Sequence, residues 1–76
     1  MAEAEWLKIF SANLSFYLEQ SGMTQRDLAM RTGLSESAIS NYINKSRFPT
    51  LRAIIKIANA FGIDMNELIP CDGSID

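Results

Sequence analysis

Thr24 to Asn44, TQRDLAMRTGLSESAISNYIN, is the stretch from which the rest of the chain can be read. It describes two short helices joined by a tight turn. The Thr24 hydroxyl can accept an orphan amide hydrogen of an opening helical turn. Asp27, three residues on, completes a capping-box spacing, with Asp in place of the usual Glu or Gln. Leu28 and Ala29 then fall on an inner face. Gly33 follows Arg31 and Thr32, where a left-handed residue ends the helix and reverses the chain. Ser35 caps a second helix. Its apolar stripe is Ala38, Ile39, Tyr42 and Ile43, spaced three and four apart. Glu36, Ser37, Ser40 and Asn41 fall between them, on the opposite face.

Two short helices around a glycine turn, the second with a small polar outer face, make a helix-turn-helix. The spacing TQRDLA-x-x-x-GLS-x-x-x-IS-x-Y resembles the signature of the Cro-type helix-turn-helix family, that of the lambda and 434 repressors. The resemblance continues as N-x-x-R-x-P-T-L-x-x-I-x-K-I-A-x-A-F-G-I-x-x-x-E-L from Asn44 to Leu68. It implies an all-α, five-helix, lambda-repressor-like domain with the motif at helices 2 and 3. It also implies a bacterial or phage transcriptional regulator, most simply a repressor, that binds double-stranded DNA sequence-specifically.

Seventy-six residues predict a single domain over 1–76, with a core from about 5 to 69 and a polar tail from 70 to 76. A chain this short buries only about 60% of its unfolded surface, so every apolar helix face must contribute. No apolar run reaches eighteen residues, so no membrane span is expected. The opening MAEAEWLKIF lacks the cationic region of a secretory signal. Cys71 is the only cysteine and suits a reducing cytoplasm. The expected location is the cytoplasm of a bacterial or phage-infected cell, at the nucleoid.

The net charge of −2 is unexpected for a DNA binder, but its distribution is not. Residues 24–56 carry Arg26, Arg31, Lys45, Arg47, Arg52 and Lys56 against Asp27 and Glu36, a net of +4. The remainder carries Lys8 against seven acidic residues, a net of −6. Phosphate attraction depends on the local field rather than on the total.

Helix 1 is expected over about 4–20, with Leu7, Phe10, Leu14, Tyr17 and Leu18 at helical spacing. Gly22 ends it and Met23 enters the core. Trp6 and Phe16 fit either the core edge or a contact surface. Helix 2 is expected over about Gln25 to Thr32 and helix 3 over about Glu36 to Asn44. KSRFP, from Lys45 to Pro49, is a loop and Thr50 a cap. Helix 4 is expected over Leu51 to Phe61, with Leu51, Ile54, Ile57, Ala58 and Phe61 inward. Gly62 stops it and Ile63 returns to the core. Asp64 and Glu67 have capping-box spacing, opening a helix 5 over Met65 to Ile69 that Pro70 ends.

Two departures from the family stand out. Many members pair Arg at the position of Leu18 with Glu at that of Ile43, in a buried ion pair. Here both are aliphatic, and replacing both partners of a buried pair is often neutral or stabilising. Many members also have glycine where this chain has Lys45. A lysine there must either avoid positive φ or tolerate strain.

The resemblance implies that helix 3 enters the major groove, which admits an α-helix. Ser37 and Asn41 are the first base-reading candidates, and Glu36 and Ser40 the next. Asn41 suits a bidentate pair with adenine, and Glu36 can accept from a cytosine amino group. Phosphate contacts are expected from Gln25, Ser35, Asn44, Lys45 and Arg47, with the amide ends of helices 2 and 4 adding partial positive charge. Arg26, Arg52 and Lys56 read as solvated or paired with Asp27. A homodimer, at least on DNA, is expected through Met65 and Ile69.

An enzyme reading lacks an inventory. The chain has no His, and no phosphate-binding glycine loop, HExxH or paired-carboxylate site is found. No zinc-type ligand set, cofactor or small-molecule ligand is expected. The competing class is a protein-interaction module of the same fold, as in an antirepressor or antitoxin component. The acidic total and the helix 1 aromatics keep it as the alternative.

Overall fold

The computed structural model describes residues 3–70. Four α-helices follow in order: α1 (Glu3–Ser21), α2 (Gln25–Thr32), α3 (Glu36–Ile43) and α4 (Leu51–Phe61). The fold is all-α among the described residues. The polar tail beyond Pro70, with Cys71 and Ile75, lies outside them.

The helix starts follow from their caps. The Asp27 amide donates to the Thr24 hydroxyl at 3.0 Å, and the Thr24 amide donates back to the Asp27 carboxylate at 3.1 Å. The Thr24 amide first and the Thr24 hydroxyl second, with smaller help from Arg31 and Arg26, hold the Asp27 carboxyl below the usual carboxylate range. Ser35 and Thr50 each accept from the third helical amide, at 3.0 Å in both cases. Gly33, at φ 76°, ends α2 in the left-handed region and donates its amide to Ala29 at 2.9 Å.

The expected fifth helix is instead a single 3-10 turn, Met65–Glu67, so the helix count of five is corrected to four. Asp64 makes no side-chain cap bond. Glu67, the other half of the expected box, accepts from the Tyr17 hydroxyl at 2.8 Å. That bond raises the Tyr17 phenol above its usual range. Too few residues remain before Pro70 to extend such a nucleus.

The core draws one or more fully buried side chains from every segment: Phe10 and Leu14 of α1, Leu28, Ile39, Ile57 and Leu68. Leu7 and Leu18 are buried as the α1 spacing predicts, and Tyr17, Met23 and Ile63 pack half-buried against the core. Leu51 is the exception, 62% exposed rather than inward. The buried arc of Ala53, Ile54, Ile57 and Ala58 is centred about a quarter-turn from it at 100° per residue. Phe61 is half-buried and packs against Tyr17 at 5.8 Å between ring centroids.

Two polar bonds tie α1 across the core. Ser11, buried, donates its hydroxyl to the Tyr42 carbonyl near the end of α3. Asn13 donates its side-chain amide to the Leu68 carbonyl at 2.8 Å. No buried side-chain polar atom among the described residues lacks a partner.

Leu18 and Ile43 line one shallow depression with Ser15, Glu19, Met23, Thr24 and Gln25. Leu18 is buried and Ile43 half-buried, so this pair of positions is less enclosed than the sequence implied. Ile43→Glu is expected to destabilise the fold by about 2–3 kcal/mol, from lost packing and a partly desolvated carboxylate. Adding Leu18→Arg should recover much of that loss in urea denaturation. Strictly additive destabilisation would show that the two side chains do not interact.

Candidate nucleic-acid interface

The orientation of α3 is set by what it buries. Ala38, Ile39 and Tyr42 face the core, and the Tyr42 ring meets Phe10 edge-on with centroids 6.2 Å apart. At about 100° per residue this turns Ser37, Ser40 and Asn44 directly outward, with Glu36 and Asn41 on either flank. Glu36, Ser37 and Asn44 are exposed, and Ser40 and Asn41 are half-buried. All four base-reading candidates therefore lie on one polar strip of α3.

Few intramolecular bonds restrain that strip. Asn44 Nδ2 reaches Ser40 Oγ only at 3.5 Å, and the Ser46 hydroxyl reaches Asn41 Oδ1 at 3.4 Å. Both contacts are at the long limit for a hydrogen bond. These side chains can exchange such contacts for partners outside the chain at little cost.

The exit from α3 supplies the cations. Asn44 is the helical end residue, and Lys45, Ser46 and Arg47 follow it, all exposed. Lys45 has φ 63°, so the lysine adopts the left-handed conformation rather than avoiding it. Its amide donates to Tyr42 at 3.2 Å, and the Ser46 amide donates to Asn41 at 2.9 Å. This is the double-bonded ending that glycine usually makes.

Gln25 and Ser35 stand exposed at the openings of α2 and α3. The orphan amides of those helix starts add partial positive charge there. The resulting surface has a short polar centre from α3, the exposed openings of α2 and α3, and a basic loop at the end of α3. It suits an elongated polyanion with a readable polar groove.

Sequence reasoning missed two residues of the loop. Ser46 also donates its hydroxyl to the Asn41 carbonyl at 3.3 Å, bracing the end of α3. Phe48 is 46% exposed, and its ring lies 5.9 Å from that of Trp6, which stacks on Phe10 at 5.6 Å. Trp6 thus clips the loop to α1. An aromatic beside Pro49 in a basic loop was the available signal. Met65 and Ile69 are both half-buried, and they do not share one helical face. Ile55 of α4, exposed, lies beside Met65, and Leu51, also exposed, is four residues before it on the same helix. Ile55, Ala58, Ile63 and Met65 line one depression.

Known proteins share this fold. A helix-turn-helix family model matches residues 14–68. The restriction-modification controller protein C.AhdI from Aeromonas hydrophila superposes with a TM-score of 0.79 at 31% identity, covering 82% of this chain and 94% of that one. An uncharacterised HTH-type transcriptional regulator, y4dJ, from Sinorhizobium fredii is 27% identical over 62 residues, which are 82% of this chain and 80% of its own. Methylphosphonate synthase from Nitrosopumilus maritimus is 30% identical over 59 residues, but the chain spans only 13% of that protein's length. No helix among the described residues is long and apolar enough to cross a membrane. With the family model covering most of its length and the motif built from α2, Gly33 and α3, the chain belongs to the Cro-type helix-turn-helix family.

Proposed function

We propose that this chain is a DNA-binding transcriptional regulator that reads a double-stranded operator through α3, most simply as a repressor. The observation that carries the reading is the outward strip of Ser37, Ser40, Asn41 and Asn44, running directly into Lys45 and Arg47. A solvated surface helix would normally carry long charged side chains there. Short polar groups instead let the backbone approach base edges. One relative is named a restriction-modification controller protein and another an HTH-type transcriptional regulator, and those names support the same role here. Such a role places the protein in the cytoplasm with the nucleoid.

The binding residues divide by task. Glu36, Ser37, Ser40 and Asn41 address bases. Gln25, Ser35, Asn44, Lys45 and Arg47 address phosphates and fix the register. No catalytic step is assigned to any residue. A second reading rests on the methylphosphonate synthase match, where a similar segment is a small part of a larger protein. There the same fold would serve as an interaction module rather than as an operator reader. Binding of random duplex that falls with salt favours the first reading, and no duplex binding at any salt favours the second.

One domain reads only a few base pairs, whereas a symmetric dimer reads two half-sites about 34 Å apart. The pairing surface we propose includes Met65 and Ile69 and extends along α4 to Ile55 and Leu51, which are 42% and 62% exposed. The patch is small, so pairing is expected mainly on the operator.

Three outcomes test the assignment. Asn41→Ala should lose about 1–3 kcal/mol on the preferred site and relax preference at one base pair, read by competition against single-base variants. Arg47→Ala should weaken all sequences alike and lower the log–log salt slope by about one unit. Leu51→Asp, at an exposed position, should leave thermal stability near that of the parent but remove cooperative occupancy of a two-half-site duplex. Cooperative filling by that variant would move the dimer surface elsewhere, with Trp6 and Phe16 of α1 next in line.

A further inference from the structure

Lys45 is the only non-glycine residue with positive φ among the described residues. The helix ends of α3 and α4 are built alike. After α4, Gly62 donates to Asn59 at 3.1 Å and Ile63 donates to Ala58 at 3.0 Å. After α3, Lys45 and Ser46 make the equivalent pair of bonds to Tyr42 and Asn41. The two left-handed residues have φ 72° and 63°. One motif therefore carries glycine at one site and lysine at the other. A Cβ in this conformation crowds the neighbouring carbonyl oxygen, so lysine costs stability that glycine would not. Strained residues of this kind cluster where a side chain has a task.

The fold itself gives the Lys45 side chain little to do. It is exposed, and it lies between Asn44 and Arg47 at the end of the α3 polar strip. We propose that Lys45 is a phosphate anchor held in a strained backbone, so that this chain gives up fold stability to gain DNA affinity. The proposal rests on the DNA-binding reading above. It goes beyond that reading in linking two measurable properties through one residue, with opposite signs. A purely structural rationale exists, since a cation at a helix C-terminus is favourable. The two accounts predict opposite changes in stability on removing the side chain.

The test uses the full chain and three variants, with thermal melts and binding to a mixed-sequence duplex across salt. Lys45→Gly should raise Tm by about 5 °C. It should weaken binding about five- to tenfold at 0.1 M salt and lower the log–log salt slope by about 0.9. Lys45→Asn, uncharged but tolerant of left-handed backbone, should match glycine in slope, which separates charge from loop flexibility. Lys45→Arg should keep both the parental slope and the parental Tm. Parental affinity and slope in Lys45→Gly would overturn the proposal while leaving the DNA-binding reading intact. A lower Tm in Lys45→Gly would overturn it in favour of the helix-end charge. If the parent protein binds no duplex at any salt, the DNA-binding reading fails and this proposal fails with it.

Discussion

The structure depends on the burial of one face of α3. Ala38, Ile39 and Tyr42 are drawn into the core, and Ile39 is fully enclosed. Tyr42 is fixed twice from α1, by the edge of Phe10 and by the Ser11 hydroxyl on its carbonyl. A helix of eight residues would not persist in water without such packing. Once those three side chains are buried, the outward direction of Ser37, Ser40, Asn41 and Asn44 follows from helical geometry alone. The site has no freedom separate from the core.

The rest of the framework serves the same constraint. Gly33 sets the angle between α2 and α3, and Thr24 and Ser35 define where each begins. Thr32 is buried at the turn and bonds the Leu28 carbonyl at 2.8 Å, while its oxygen accepts from the Leu34 amide at 3.2 Å. Asn13 and Tyr17 hold the C-terminal turn against α1 through Leu68 and Glu67. Trp6 reaches the loop through Phe48. The long first helix is therefore the frame, and its contacts reach both α3 and the loop that follows it.

Much of this was legible in the residues because the signals were local. Caps at Thr24, Ser35 and Thr50 and the stop at Gly33 depend on a few neighbouring bonds. The α1 core positions followed from spacing. The misreadings occurred where packing or a distant partner, rather than local spacing, decided the outcome. Glu67 had the right spacing for a helix cap but is bonded to Tyr17, fifty residues away, so Met65–Glu67 closes as a 3-10 turn. Leu51 has the right spacing before Ile54, yet Ala53, Ile54, Ile57 and Ala58 set the buried arc and leave it outside. The left-handed backbone at Lys45 could be posed from sequence only as a choice. The bonds from Lys45 and Ser46 back to α3 decide it.

The central claim is that the polar strip of α3 and the loop after it form the surface that meets DNA. The most direct measurement is an amide NMR titration of the protein with a mixed-sequence duplex at low salt. The account predicts that shifts will concentrate at Gln25, at Ser35 to Asn41 and at Asn44 to Arg47. The outer face of α1 around Phe16 and Glu19 should remain unmoved. Shifts centred on that α1 face, with α3 silent, would contradict the account.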